Sequence, residues 1–423
     1  MSDQPAPSPN NFFQKIRIQN LLSFGPDSPE IELKPLNIII GENGVGKSNL
    51  LTVFEFIGLL PNYNDGSYFR KVIGSAKNFI WKGPNPQSRT RELAFQVSNG
   101  PESYNFLINK YKLGYDETND RLLFLEEEIE RGVESSDPSI ISQPVFLNHA
   151  SKESFWSYYH TDAYIVEKNQ FQGMEIQKEE LKDSSFSKAS TSLSQIAEKR
   201  FPYLFYMRDA LSNYKLVVHK ETDFGPSSVL RQAQEYRDYK PIYPDFSNLF
   251  HHLLVHFREN LNYKREFMGY LQRFNPRIKD LSVNGLDTSR IKLFAEEEGL
   301  NSLIPVENIS DGTLHFICLL AILLNPNPPK LVCIEEPENG LHPDAIHLVA
   351  ELLKEASKRM QIIVTTHSAH LISYFSDMPE AIMVAEKDER GTVFHRLTER
   401  QKKMIGDVGI GTIWLQGKIG GVK

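Results

Sequence analysis

The chain has 423 residues, 40% hydrophobic and 24% charged, an ordinary balance for a globular protein long enough for two or three folded units. Its formal net charge of −7 excludes a bulk electrostatic pull toward nucleic acid, so any such contact needs a local basic surface. No stretch approaches the ~18 uninterrupted apolar residues of a membrane span, and the two cysteines, Cys318 and Cys333, sit inside apolar segments that fit neither disulfide nor zinc arithmetic and suit a reducing cytoplasm.

Residues 1–11 are polar and contain Pro and Ser, without the basic start and apolar run of a signal peptide, so a disordered tail is expected there. Phe13 to Ile18 alternates with period two and predicts a strand, followed by a turn near Gly25-Pro26 and a second strand at Glu30 to Leu33. The apolar run Leu36 to Ile40 then enters Gly41-Glu42-Asn43-Gly44-Val45-Gly46-Lys47-Ser48 and opens into Asn49-Leu50-Leu51, which predicts strand, loop and helix. That is G-x-x-x-x-G-K-S in the context its chemistry needs. The glycines let the amides of Asn43, Gly44, Val45, Gly46, Lys47, Ser48 and Asn49 turn inward around a phosphate chain. Lys47 would reach the β- and γ-phosphates, and Ser48 would offer its hydroxyl to Mg²⁺, so ATP with Mg²⁺ is the expected ligand.

Trp81, Glu92 to Val97 and Tyr104 to Tyr111 predict further antiparallel strands around a Ser98-Asn99-Gly100 turn, making residues 12–115 a mixed sheet around the loop. Residues 116–280 are less regular and predict a mainly helical lid: Leu125 to Gly132 is acidic, Asp183 to Gln195 is Ser-rich, and Phe246 to Phe274 has helical apolar spacing that Pro276 ends. Lys264, Arg265, Arg273, Arg277 and Lys279 in that stretch, with Lys82, Arg89 and Arg91, either track a nucleic-acid backbone or form a solvated face.

From 281 to 423 the chain returns to strands and helices. Ser310 is placed to cap an apolar helix from Thr313 to Leu324, and Gly312 would let backbone approach an anion. Leu331 to Ile334 predicts a buried strand that delivers Glu335 and Glu336 at its end. Glu335 would hold Mg²⁺ through water, and Glu336 would take a proton from attacking water. Pro343 starts a helix with one apolar face, and the strand Gln361 to Thr365 after it ends at His367, a candidate sensor of the γ-phosphate. Strand–helix–strand in this order argues for a parallel α/β core.

Taken together, these motifs resemble the ABC-type ATPase heads of the RecF, SMC and OLD (overcoming lysogenization defect) kind, and most of all the bacterial RecF-like branch. The resemblance rests on Ser310-Asp311-Gly312-Thr313, on Ile334-Glu335-Glu336-Pro337-Glu338-Asn339-Gly340-Leu341-His342-Pro343 and on Thr365-Thr366-His367-Ser368. Ile18 to Phe24 and Gly411 to Trp414 with Gly420-Gly421 also look like that branch. The resemblance implies an α/β fold, a mixed antiparallel and parallel sheet with flanking helices. It also implies a homodimer closed head to tail on two ATP molecules. Ser310, Asp311 and Gly312 would then cap the partner's γ-phosphate, while Asn339, Gly340 and Leu341 form the D-loop at the interface. Glu335 stands where many such ATPases carry Asp, and the Q-loop glutamine is left open between Gln87, Gln96 and others. OLD-like relatives carry a Toprim nuclease, for which the stretch after His367 is too short. The expected function is therefore an ATPase that gates a separately encoded nuclease in anti-phage defence. A RecF-like repair or recombination clamp is the alternative, and DNA contact stays open.

Overall fold

The computed structural model describes residues 12–63, 66–83, 91–98, 106–133, 141–149, 155–160, 166–167, 170–171, 177–182, 190–195, 202–212, 215–218, 224–225, 227–235, 241–406 and 408–421. The expected tail at 1–11, Gln87, Arg89, the Asn99-Gly100 turn and residues 183–189 of the Ser-rich stretch lie outside them. The chain divides into two compact units. One comprises Met1–Lys34, Asn43–Lys215 and Ala385–His395, and the other Pro35–Glu42, Leu216–Val384 and Arg396–Lys423.

The chain opens with β1 (Phe13–Gln19), β2 (Ile31–Glu32) and β3 (Leu36–Ile40), then α1 (Lys47–Leu59) and α2 (Ser67–Val72). There follow β4 (Arg91–Ser98), β5 (Phe106–Asp116), β6 (Arg121–Val133), β7 (Ile141–His149), β8 (Phe155–His160), the short pair β9 (Val166–Glu167) and β10 (Gln170–Phe171), and β11 (Gln177–Lys182). Helices α3 (Ser192–Gln195) and α4 (Pro202–Ser212) come next. In the first unit the strands form an eight-stranded sheet ordered β11-β8-β7-β6-β5-β4-β1-β2. Period-two burial drives it: Leu107, Asn109, Tyr111 and Leu113 of β5 all face inward. Helix α1 is apolar on most of its surface, and Phe54 meets Phe13 edge-on at 5.1 Å.

The second unit continues with β12 (Lys215–Val218), β13 (Gln234–Glu235), α5 (Leu249–Glu259), α6 (Leu261–Phe274), β14 (Ile278–Gly285), β15 (Arg290–Glu297) and β16 (Ile304–Pro305). Then come α7 (Asp311–Leu323), β17 (Leu331–Glu335), α8 (Ile346–Ala356), β18 (Gln361–Thr365), α9 (Ala369–Ser373) and β19 (Ile382–Asp388). After β20 (Gly391–Arg396) the chain ends in α10 (Glu399–Ile405) and α11 (Ile410–Leu415). Strands β12, β17, β18, β3 and β19 lie side by side in that order, and β17/β18, β18/β3 and β3/β19 pair in parallel. Every residue of β17, β18 and β3 is buried, the continuous apolar run expected of a parallel sheet covered on both faces. No helix among the described residues is long and apolar enough to cross a membrane.

Three expectations are corrected. The first 115 residues do not share one mixed sheet, because β3 joins the parallel sheet of the second unit while β1, β2, β4 and β5 pair antiparallel in the first. Trp81 lies in no strand; its neighbour Ile80 makes only an isolated bridge to Leu21. Residues 116–280 are not a mainly helical lid, since β6 to β11 occupy much of 121–182. The acidic run is strand β6: a bulge at Leu125, where Leu113 pairs Phe124 but Lys112 pairs Glu126, shifts its phase and turns Glu127 inward. Helices α5 and α6, also expected in the lid, contribute to the core of the second unit with α7 and α8, Phe274 stacking on Phe316 at 4.3 Å.

Candidate functional site

In the first unit, the loop turns through Gly44 (φ 76°) and Gly46 (φ 107°) and starts α1 at Lys47. No side chain caps that helix, whose positive end lies at the glycine loop. Lys47 and Val45 are buried, and Asn43, Gly44 and Ser48 are exposed. The loop is braced from behind. Thr392 Oγ1 donates to the Val45 carbonyl at 2.6 Å and lies 2.6 Å from the Ser23 hydroxyl, which accepts from Asn49 Nδ2 at 2.7 Å. A Cβ on Gly46 would come within 2.2 Å of Thr392 Oγ1 and 2.4 Å of Ser23 Oγ, so only glycine fits. Ser23 and Thr392 are far from the motif in sequence, and nothing in the spacing of residues points to them. A cavity of about 450 Å³ opens beside this brace, lined by Ser23, Asn49, Asn78, Trp81 and Lys387 among others.

In the second unit, three neighbouring parallel strands end at one edge. Gly41 and Glu42 follow β3, Thr366 and His367 follow β18, and Glu335 and Glu336 close β17. Register aligns them: Glu335 pairs with Thr365 and Thr365 with Ile39. Such an edge is where open parallel sheets hold ligands. Glu335 is 7% exposed. Glu336 has φ 48°, a left-handed conformation that a glutamate rarely adopts, pinned by its amide donating to the Thr365 carbonyl at 2.8 Å. Its Oε2 accepts from Asn339 Nδ2 at 2.7 Å, and its Oε1 lies 3.8 Å from His367 Nε2.

The same unit carries the Ser310 turn. Ser310 caps α7 by accepting from the Thr313 amide at 3.3 Å, as expected from its position. Behind the turn sits Arg231, which sequence reasoning missed. Its guanidinium donates to the carbonyls of Phe224 (2.7 Å), Val306 (3.1 Å), Glu307 (3.1 Å) and Ile309 (2.8 Å), and to the carboxylate of Asp311. The turn also approaches the segment after β17: a Cβ on Gly312 would lie 2.9 Å from the Gly340 carbonyl oxygen. One turn further along α7, His315 Nδ1 is 2.7 Å from the Asn339 carbonyl. Burial holds the His315 pKa below its usual value despite that bond, so the ring is neutral and donates Nδ1–H.

The structure thus brings Glu335, Glu336 and His367 to one edge, and Ser310, Asp311 and Gly312 to the turn at Asn339 and Gly340. Asn43 to Asn49 lie together in the first unit. Gln96 lies inside β4, and its side-chain amide donates to Gln14. Four of the five basic residues of that stretch form ion pairs within the chain, Lys264 with Asp280, Arg273 with Glu351, Arg277 with Glu297 and Lys279 with Glu298, and Arg265 donates to Asn262.

This fold is that of an α/β ATPase head of the ABC and SMC type. Two solved structures match it over nearly its whole length. The SMC head bound to the C-winged helix domain of ScpA gives a TM-score of 0.57 at 14% identity, over 93% of this chain and 100% of that one. The SMC head with an extended coiled coil, bound to the C-terminal domain of ScpA derived from Pyrococcus furiosus, gives 0.54 at 11%, over 94% and 99%. At such identities the likeness is one of fold. The chain belongs to the family described as an AAA domain, putative AbiEii toxin, type IV toxin–antitoxin system, whose profile matches residues 36–373. Among curated proteins it is similar to the energy-coupling factor transporter ATP-binding protein EcfA of Methanosphaera stadtmanae, 26% identical over 139 residues, 33% of this chain and 46% of that protein. It is also similar to the phosphate import ATP-binding protein PstB 1 of Synechococcus sp. strain JA-3-3Ab, 32% identical over 92 residues, 22% and 32% of the two. The chain spans less than half the length of these two curated relatives.

Proposed function

We propose that two copies of this chain close head to tail on two ATP molecules, hydrolyse them, and so gate a separately encoded nuclease in an anti-phage system. The observation that carries the hydrolytic part is Glu336. A carboxylate held in a left-handed backbone, oriented by Asn339 and facing a histidine, is poised for chemistry and has little structural reason to exist. The residue chemistry suits the expected metal: the Ser48 hydroxyl and the buried Glu335 carboxylate are hard oxygen ligands of the kind Mg²⁺ takes. When bound, that ion would neutralise charge on the β- and γ-phosphates.

The amides of Asn43 to Asn49 would wrap the phosphates and Lys47 would draw charge from the γ-group, while the cavity beside Trp81 would take the base. Glu336 would accept a proton from the attacking water as the new O–P bond forms and the bond to ADP breaks. His367 would donate to the departing phosphate, and Ser310, Asp311 and Gly312 would reach across to the partner's nucleotide. Closure is then a population shift driven by γ-phosphate contacts made only in the closed state. The toxin–antitoxin wording of the family supports a second gene product as the effector. Transport partners are not proposed, because the similarity to transport ATPases covers only part of each chain.

The test is complementation between two inactive copies. Lys47→Ala and Ser310→Ala are each made, and each is inactive alone. Mixed one to one, they regain about a quarter of the parent rate, because half of the dimers carry one site built from intact halves. A mixture as inactive as its components, from copies that bind one another, would rule out the shared site.

A further inference from the structure

Glu338 lies two residues after Glu336, and the hydrolytic scheme gives it nothing to do. Its carboxyl reaches across to the loop after β18. Oε1 accepts from the Thr366 hydroxyl, and the His367 backbone amide also points at the group. The Thr366 hydroxyl in turn accepts from the Ser368 amide at 3.0 Å, and Ser368 caps α9 through the Leu371 amide at 3.1 Å. Thr366 is fully buried, so this hydroxyl is not shared with solvent. Glu338 Oε2 is enclosed and has no hydrogen-bond partner. An enclosed carboxyl with an empty oxygen is a costly choice for a strap whose job could be done by an apolar contact. Burial pushes its pKa up, and the charge of Glu336 adds to that, while the Thr366 bond opposes it.

We infer that Glu338 is a positioning residue for His367, fixing the Thr366-His367-Ser368 loop so that the imidazole faces the Glu336 carboxylate. Asn339 orients the Glu336 carboxylate, and its neighbour Glu338 orients the loop that carries the histidine. One short segment, Pro337 to Asn339, therefore sets both halves of the reacting pair. What Glu338 must supply is an acceptor at Oε1; its charge is not required. A glutamine can supply that acceptor and an alanine cannot.

This inference rests on His367 acting in ATP hydrolysis, and its test separates the two. The first readout needs no turnover: the imidazole resonances of His367 are followed by NMR in the nucleotide-free protein across a pH titration. Glu338→Ala and Thr366→Val should shift both the resonances and the titration midpoint of His367, whereas Glu338→Gln should leave both near the parent values. The second readout is kinetic. Glu338→Ala should lower kcat about tenfold with KM unchanged. Glu338→Gln should stay within about twofold, and Glu338→Ala combined with His367→Ala should be no slower than His367→Ala alone. A His367 titration indifferent to Glu338→Ala and Thr366→Val in folded protein overturns the positioning role, as does a Glu338→Gln variant as impaired as Glu338→Ala. If the resonances move as expected but His367→Ala hydrolyses at the parent rate, the positioning stands and the role of His367 in hydrolysis falls.

Discussion

Arg231 and Asp311 are joined through a guanidinium that also holds the carbonyl of Ile309 at 2.8 Å, so one side chain from a distant segment fixes the whole approach to the Ser310 turn. Arg231 is buried, and its loss removes a donor from the carbonyls of Phe224, Glu307 and Ile309, while the Val306 carbonyl keeps the Ile309 amide at 3.2 Å. Asp311 is mostly exposed, so its charge contributes less than the carbonyl bonds. Arg231→Ala is expected to destabilise the protein by about 3 kcal/mol in urea unfolding, the cost of the carbonyl bonds that one buried guanidinium makes. Asp311→Ala, which leaves those bonds in place, should cost under about 1 kcal/mol. Equal losses from the two would show that the ion pair, and not the carbonyl cage, holds the turn.

Gly44 and Gly46 look alike in the motif and should behave differently. Both have positive φ, but a side chain on Gly44 meets nothing within 4 Å, while one on Gly46 strikes Thr392 and Ser23. Gly44→Ala therefore bears only backbone strain, about 1 kcal/mol. Gly46→Ala adds a clash that must break the Thr392–Val45 brace, which should bring the loss to about 3 kcal/mol and abolish binding of a fluorescent ATP analogue. Thermal melts and a binding titration on the two variants check this.

Local patterns carried much of this architecture. The apolar runs at Leu36 to Ile40 and Gln361 to Thr365 read correctly as strands because both faces are buried, and Ser310 read correctly as a cap because capping is local. Glu335, Glu336 and His367 were legible as strand-end polar groups, and the parallel register brings them together. The middle of the chain was not legible. The single-residue bulge at Leu125 breaks the period of β6, and an acidic strand paired with Lys110 and Lys112 has the composition of a loop. Arg231, Ser23 and Thr392 were out of reach for another reason. Their partners are far along the chain, and one sequence does not register contacts made at that separation.

The left-handed backbone at Glu336 predicts a trade between stability and chemistry. Glycine adopts φ near 48° without the clash a Cβ brings, so Glu336→Gly should raise unfolding stability by about 1 kcal/mol although it deletes the bond to Asn339. The same variant should hydrolyse no ATP. Glu336→Gln keeps the strain and the shape while removing the base, and should lower kcat by about a thousandfold with nucleotide affinity intact. Chemical denaturation alongside a single-turnover assay reads both. A Glu336→Gly variant less stable than Glu336→Gln would mean that the backbone there is unstrained.

Glu127, the residue that the β6 bulge turns inward, makes stability depend on pH. Burial pushes its carboxyl up to about 7, only partly offset by the Ser192 amide at 2.9 Å and the Ser192 hydroxyl at 3.0 Å. A folded-state pKa above the unfolded value of 4.5 means that the native protein holds this proton while the unfolded chain releases it. Below pH 4.5 both states are protonated and nothing is lost. Between there and about 7 the native state binds more protons, so stability falls as pH rises, by about 3 kcal/mol in all, and levels off above. Glu127→Gln keeps an acceptor for Ser192 and cannot ionise. It should exceed the parent in urea unfolding by under about 1 kcal/mol at pH 5 and by about 3 kcal/mol at pH 8. A parent that is the more stable of the two at pH 8 would show that the ionised carboxylate is satisfied in place by Ser192 and that its burial costs nothing.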